Sequence, residues 1–97
     1  MAVPIDLDAA VIVVTGAAGG LGRALCSRLT VAGATVVAVV HRAPETVIEG
    51  AASTVVADLV AADAPDGVVE AALGAHGRVD GLVNNAAVQP VVPFVDL

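Results

Sequence analysis

The stretch Val11–Leu25, VIVVTGAAGGLGRAL, decides how this 97-residue chain is read. Its first part belongs to the apolar run Ala9–Thr15 (AAVIVVT), short and β-branched as a buried strand is. Its last part opens Gly20–Ala32 (GLGRALCSRLTVA), where Leu21, Ala24, Leu25, Leu29 and Ala32 recur at helical spacing until Gly33 stops the pattern. Between them lies Thr15-Gly16-Ala17-Ala18-Gly19-Gly20-Leu21-Gly22, with four glycines at the hand-over from strand to helix. A helix N-terminus carries unpaired N–H groups and about half a positive charge, so it attracts phosphate. Glycine lets the backbone turn sharply and lets a pyrophosphate approach without meeting a Cβ. Any strand–helix turn uses glycine, but four of them with a threonine exceed what a turn alone requires. A Walker loop is excluded, because no Gly-Lys-Ser/Thr follows; G-x-G-x-x-G also fails, since Leu25 stands where the third glycine would be. The pattern that fits is T-G-x-x-x-G-x-G. With Gly19 and Gly20 adjacent, the same letters also satisfy T-G-x-x-G-x-x-G.

Outward from this turn the chain repeats the same alternation. Ala34–Val40 (ATVVAVV), Ser53–Ala57 (STVVA) and Val79–Asn85 (VDGLVNN) are further short apolar runs. Asp66–His76 (DGVVEAALGAH), after Pro65, predicts a second helix with Val68, Val69, Ala72 and Leu73 on its inner face. The link His41–Ala52 has room for only a turn or two of helix around Glu45–Glu49. Continuous apolar strands alternating with helices predict an α/β fold with a parallel sheet covered on both faces.

Composition narrows the function classes. The chain is 58% hydrophobic and 14% charged, with ten acids against four arginines and a net charge of −6. Disorder is excluded, and a single cysteine excludes a disulfide scaffold. The acidic balance, with no basic cluster, argues against nucleic acid and anionic membrane surfaces as partners. The uncharged stretch Ala9–Gly22 spans 14 residues with four glycines, short of the roughly 18 a membrane span needs. Asp6 and Asp8 stand where a secretory leader would be basic and then apolar. A cytoplasmic chain of one domain at most is the expectation.

The turn resembles the cofactor turn of the short-chain dehydrogenase/reductase family, in either its core or its extended branch. Asp80-Gly81-Leu82-Val83-Asn84-Asn85-Ala86-Ala87 resembles that family's fourth-strand signature, and the doubled asparagine is similar to the core branch and not the extended one. Ala87 departs from the glycine usual there. The resemblance implies a Rossmann-type doubly wound sheet of order 3-2-1-4, ending here after the fourth strand, with residues 1–97 forming the N-terminal part of a single NADP(H)-binding domain. It implies cofactor contacts at Gly16, Ala18, Gly20, Leu21 and Gly22, at Asp58 and Leu59 beside the adenine, and at Asn85 and Ala86, with Asn84 bracing the sheet. Dinucleotide folds commonly carry an acid about 20 residues beyond the glycine turn; this chain has His41 and Arg42 there and no acid before Glu45. A guanidinium binds a 2′-phosphate bidentately whereas an acid repels it, so Arg42 resembles the NADP-preferring members, NAD being the less favoured cofactor. Arg42 equally serves to solvate a strand end, and His41, mostly neutral, is the weaker phosphate ligand.

The family transfers hydride between a nicotinamide and a carbonyl or alcohol carbon, using a tyrosine, a lysine, a serine and a further asparagine. This chain has no tyrosine and no lysine, and Ser27, Ser53, Asn84 and Asn85 do not match the catalytic positions, so no catalytic residue is assigned to it. A small-molecule substrate is expected only where the family's C-terminal half is also present. A non-catalytic dinucleotide-binding module and an inactive remnant stand as alternatives. Cys26, among apolar neighbours, reads as core; His76 suits a helix C-terminus; Asp80 reads as holding the loop before the fourth strand; no spacing fits a metal. An uncovered fourth strand followed by AAVQPVVPFVDL predicts a poorly soluble or molten chain.

Overall fold

The computed structural model describes residues 7–42, 47–58 and 61–85. Strand β1 (Val11–Thr15) passes through the glycine turn into helix α1 (Gly20–Val31), and β2 (Thr35–Val40) follows. Then come β3 (Ala51–Val56), helix α2 (Ala64–His76) and the short β4 (Gly81–Val83). All pairings are parallel, in the order β3-β2-β1-β4. This is the doubly wound Rossmann arrangement expected from the sequence.

Parallel strands expose both faces to helices, and each face here has its own core. On one side Ile12, Val14, Val36, Ala38 and Val40 pack with Cys26 of α1 and with Ile48. On the other, Val11, Val13, Val37 and Val39 pack with Val68 and Ala72 of α2. A register shift at Val36/Val37 sets Ala51 opposite Val36 but Ser53 opposite Val37. The extra residue, Ala52, moves Ser53 and Val55 to the α2 side, where Ser53 Oγ shares a 3.0 Å hydrogen bond with His76 Nε2.

Several expectations are corrected. Of the expected inner face of α1, Leu25 and Leu29 pack only partly, and Leu21 is 65% exposed; Ala24 and Ala32 are also exposed. The buried positions are Gly22 and Cys26, because α1 lies so close to the sheet that small residues make the contact. On α2, Val68 and Ala72 are buried as expected, but Val69 and Leu73 stay nearly half exposed. Strand β4 is shorter than Val79–Asn85, its described edge pairing only with β1. The segment expected to hold a short helix around Glu45–Glu49 is a turn over residues 49–50, while 43–46 lie outside the described residues.

The described part of the link, residues 47–50, lies along α1. Arg23 donates to Val47 O at 3.3 Å, Ile48 is 1% exposed in the same core as Cys26, and Thr30 Oγ1 donates to Gly50 O at 2.6 Å. Arg23, Cys26 and Thr30 are spaced three and four residues apart, which puts them on one stripe of α1. One buried isoleucine and two hydrogen bonds thus dock this segment on the α1 side of the sheet.

Candidate functional site

The ends of all four strands set the site. The glycine turn follows β1, His41 and Arg42 follow β2, Asp58 follows β3, and Asn84 and Asn85 follow β4. With every strand parallel, these segments share the carboxyl edge of the sheet. The chain order reverses between β1 and β4, and open α/β sheets bind ligands outside the carboxyl ends at such a switch point.

Two side-chain bonds staple that point together. Thr15 Oγ1 donates to Asn84 Oδ1 at 3.1 Å, and Asn85 Nδ2 donates to Gly16 O at 3.3 Å. The doubled asparagine therefore ties β4 to the start of the turn, one amide on the strand end and one on the first glycine. The turn is held from the other side as well, by Ala17 N–H donating to Val39 O at 3.1 Å.

The glycines divide into two kinds. Gly16 has φ of +64°, in the region that disfavours side chains, and a Cβ on Gly22 would overlap the Gly16 carbonyl oxygen and stand 2.8 Å from Ala17 Cα. Gly20 differs: nothing lies within 4 Å of where its Cβ would be. The protein's own packing does not require a glycine there, and the space is left at the first residue of α1. That helix end has no side-chain cap and no acid in its first turn, so its leading N–H groups are offered to an anion. The donor set and the open space fit a pyrophosphate.

The remaining expected residues are spread along the same edge. His41, Arg42 and Leu21 are exposed, as are Ala18 and Gly20. Asp58 borders a pocket of about 260 Å³ between the end of β3 and the first turns of α2, lined also by Val55, Ala57, Ala64, Gly67 and Val68. Leu59 and Ala86 lie outside the described residues. Away from the site, Asp80 anchors the start of β4: its carboxylate accepts from Val11 N–H at 2.7 Å and from Arg78 at 2.6 Å, while its own N–H donates to Val11 O at 2.8 Å. Arg78, with help from the Val11 N–H, holds the Asp80 carboxyl below the usual carboxylate range. Burial pushes the Cys26 thiol up, which keeps it protonated core. Among the described residues no group of side chains could hold a metal ion, and no helix is long and apolar enough to cross a membrane.

Sequence reasoning read Cys26 as core but missed Arg23 and Thr30 on the same stripe. Apolar periodicity selected Leu21, Ala24, Leu25, Leu29 and Ala32, of which only Leu25 and Leu29 pack against that core.

A glycine turn at the switch point of a doubly wound parallel sheet defines a dinucleotide-binding class of fold. Within it, residues 10–97 match the family model described as short chain dehydrogenase, and the chain belongs to that family. It is 45% identical over 84 residues to 1-deoxy-11-beta-hydroxypentalenate dehydrogenase of Streptomyces arenae, covering 78% of this chain and 30% of that protein. A metagenomic short-chain oxidoreductase solved in complex with NADP superposes with a TM-score of 0.75 at 36% identity, over 87% of this chain and 41% of the other. The NADH-dependent reductase A1-R′ complexed with NAD shares the fold, with a TM-score of 0.71 at 24% identity over 79% of this chain and 36% of the other. The chain thus spans about a third of the length of the curated relatives it matches.

Proposed function

We propose that this chain is the NADP(H)-binding front of a short-chain dehydrogenase/reductase that moves hydride between nicotinamide and a carbonyl or alcohol carbon. The observation that carries the reading is the stapled switch point, with an uncapped helix N-terminus and an open Gly20 beside it. In this reading the N–H groups of Gly20, Leu21 and Gly22 receive the pyrophosphate, with Gly16 and Ala18 shaping the turn around it. Arg42 meets the 2′-phosphate, with His41 beside it. Asp58 borders the adenine at the pocket beyond β3 and Asn85 lies along the adenosine side, with Leu59 and Ala86 assigned cofactor contacts from the family resemblance alone. The bound dinucleotide supplies the hydride. This chain's residues bind and orient it, and the residues that handle the proton belong to the part of the family that follows the fourth strand.

Titration of the chain with NADPH and NADH tests the binding. Arg42→Asp tests the preference: we expect it to reverse the selectivity for the 2′-phosphorylated form, and unchanged selectivity would sink the assignment. A second reading is a dinucleotide-binding module without catalysis. A reading frame beyond codon 97 that encodes Tyr-x-x-x-Lys decides for the reductase; a stop without one leaves the module or an inactive remnant, and saturable dinucleotide binding then separates the two.

A further inference from the structure

Arg23 grips two backbone carbonyls from different parts of the chain. Its Nε donates to Ala18 O at 3.0 Å, inside the glycine turn, and its Nη1 donates to Val47 O at 3.3 Å, in the segment entering β3. A guanidinium is a rigid plane of donors, so acceptors on two of its edges fix its orientation and fix each other. The inner half of the turn is already secured, Gly16 by Asn85 and Ala17 by Val39. The outer half, Ala18 to Gly20, is exposed and rich in glycine, so it is costly to order. Arg23 is the side chain that holds it. Both of its acceptors are neutral, and among the described residues no carboxylate forms an ion pair with it, so its charge is not cancelled beside the turn.

Resting on the dinucleotide reading above, we propose that Arg23 is a positioning residue for the cofactor. By locking Ala18 to Val47 it orders the outer half of the glycine turn before the pyrophosphate arrives, so binding does not bear that cost. The brace acts on the phosphates shared by both dinucleotides and leaves the choice between them to Arg42.

The experiment titrates NADPH and NADH into the 97-residue chain, carried on a soluble fusion partner, for the wild type and for Arg23→Gln, Arg23→Lys and Thr30→Val. Thr30 ties the same segment to α1 at Gly50, away from the turn, so Thr30→Val reports loosening of the segment alone. Arg23→Gln is expected to weaken both dinucleotides by about tenfold, the loss of one charge-assisted hydrogen bond, with their ratio unchanged. Arg23→Lys, which still reaches one carbonyl with a charge, is expected to recover to within about threefold of the wild type. Thr30→Val is expected to lower the unfolding midpoint without changing either affinity. The proposal is overturned if Arg23→Gln binds within about twofold of the wild type, if Thr30→Val weakens binding as much, or if Arg23→Gln weakens NADPH alone. A wild type that binds neither dinucleotide overturns the dinucleotide reading itself.

Discussion

The inner and outer strands all carry valine and end in different environments. VIVVT of β1 and TVVAVV of β2 are almost wholly buried, whereas AASTVV of β3 and GLV of β4 alternate between half-buried and exposed. Val37 is fully buried and Val56, one strand away, is 56% exposed. The same residue, valine, meets both fates, and position in the sheet separates them. A central parallel strand has a neighbour on each side and a helix on each face, while β3 has a thin strap over one face and β4 pairs only with β1 among the described residues. Among the described residues the centre is covered on both faces and both sides, and the margins are not.

The hardest way to break the contrast is to strike the contact that sets α1 on the centre. Gly22→Ala drives a methyl into the Gly16 carbonyl, and we expect a loss of about 3 kcal/mol or more in urea denaturation. A loss under about 1 kcal/mol would mean that α1 can lift away freely. Next, Val37→Ala should cost about 2 kcal/mol and Val56→Ala no more than about 0.5; equal costs would show the margin to be as well packed as the centre. Leu82, 64% exposed on β4, sharpens the comparison from the other side. Leu82→Lys should change stability by less than about 0.5 kcal/mol while clearly reducing light scattering by the isolated chain. Gly20→Ala should be neutral or stabilising by a few tenths of a kcal/mol, since its Cβ meets nothing, yet weaken dinucleotide binding.

The smallest effect is in acid. The folded Asp80 carboxyl sits below its ordinary value, so its stabilisation is fully present above about pH 4 and lost as pH falls through the lower folded value. Asp80→Asn should therefore flatten the acid limb of the stability profile without altering it near neutrality beyond the loss of the Arg78 contact. An unchanged acid limb would contradict the anchoring role.

The parallel α/β alternation, both helices and the glycine turn were legible because they rest on local signals: β-branched runs, helical spacing and glycines between them; the strand order came only with the family resemblance. The structural part of Asp80 and the core placement of Cys26 were legible for the same reason, from their neighbours in sequence. The strap was not. Ile48 is buried by the docking of its segment on α1, a contact between residues distant in sequence, and Arg23 and Thr30 look like ordinary polar positions until Val47 and Gly50 arrive beside them. The two kinds of glycine were hidden too. Gly20 and Gly22 are identical letters in one motif, and the difference between a steric necessity and an open space exists only once α1 is laid on β1.

The staples at the switch point also set an order of events during synthesis. Val11 pairs with Thr35 on one side, but its strand meets Gly81–Val83 on the other, and Thr15 and Gly16 wait for partners 69 residues away. A nascent chain can lay β2 against β1 and wrap α1 early, because those contacts are short in sequence. The turn stays open at its Gly16 end until Asn84 and Asn85 have been made and the long loop between has closed. On the proposed dinucleotide reading, competence to bind at the glycine turn is therefore acquired late, with the last described residues of the chain, although the turn itself is among the first to be translated.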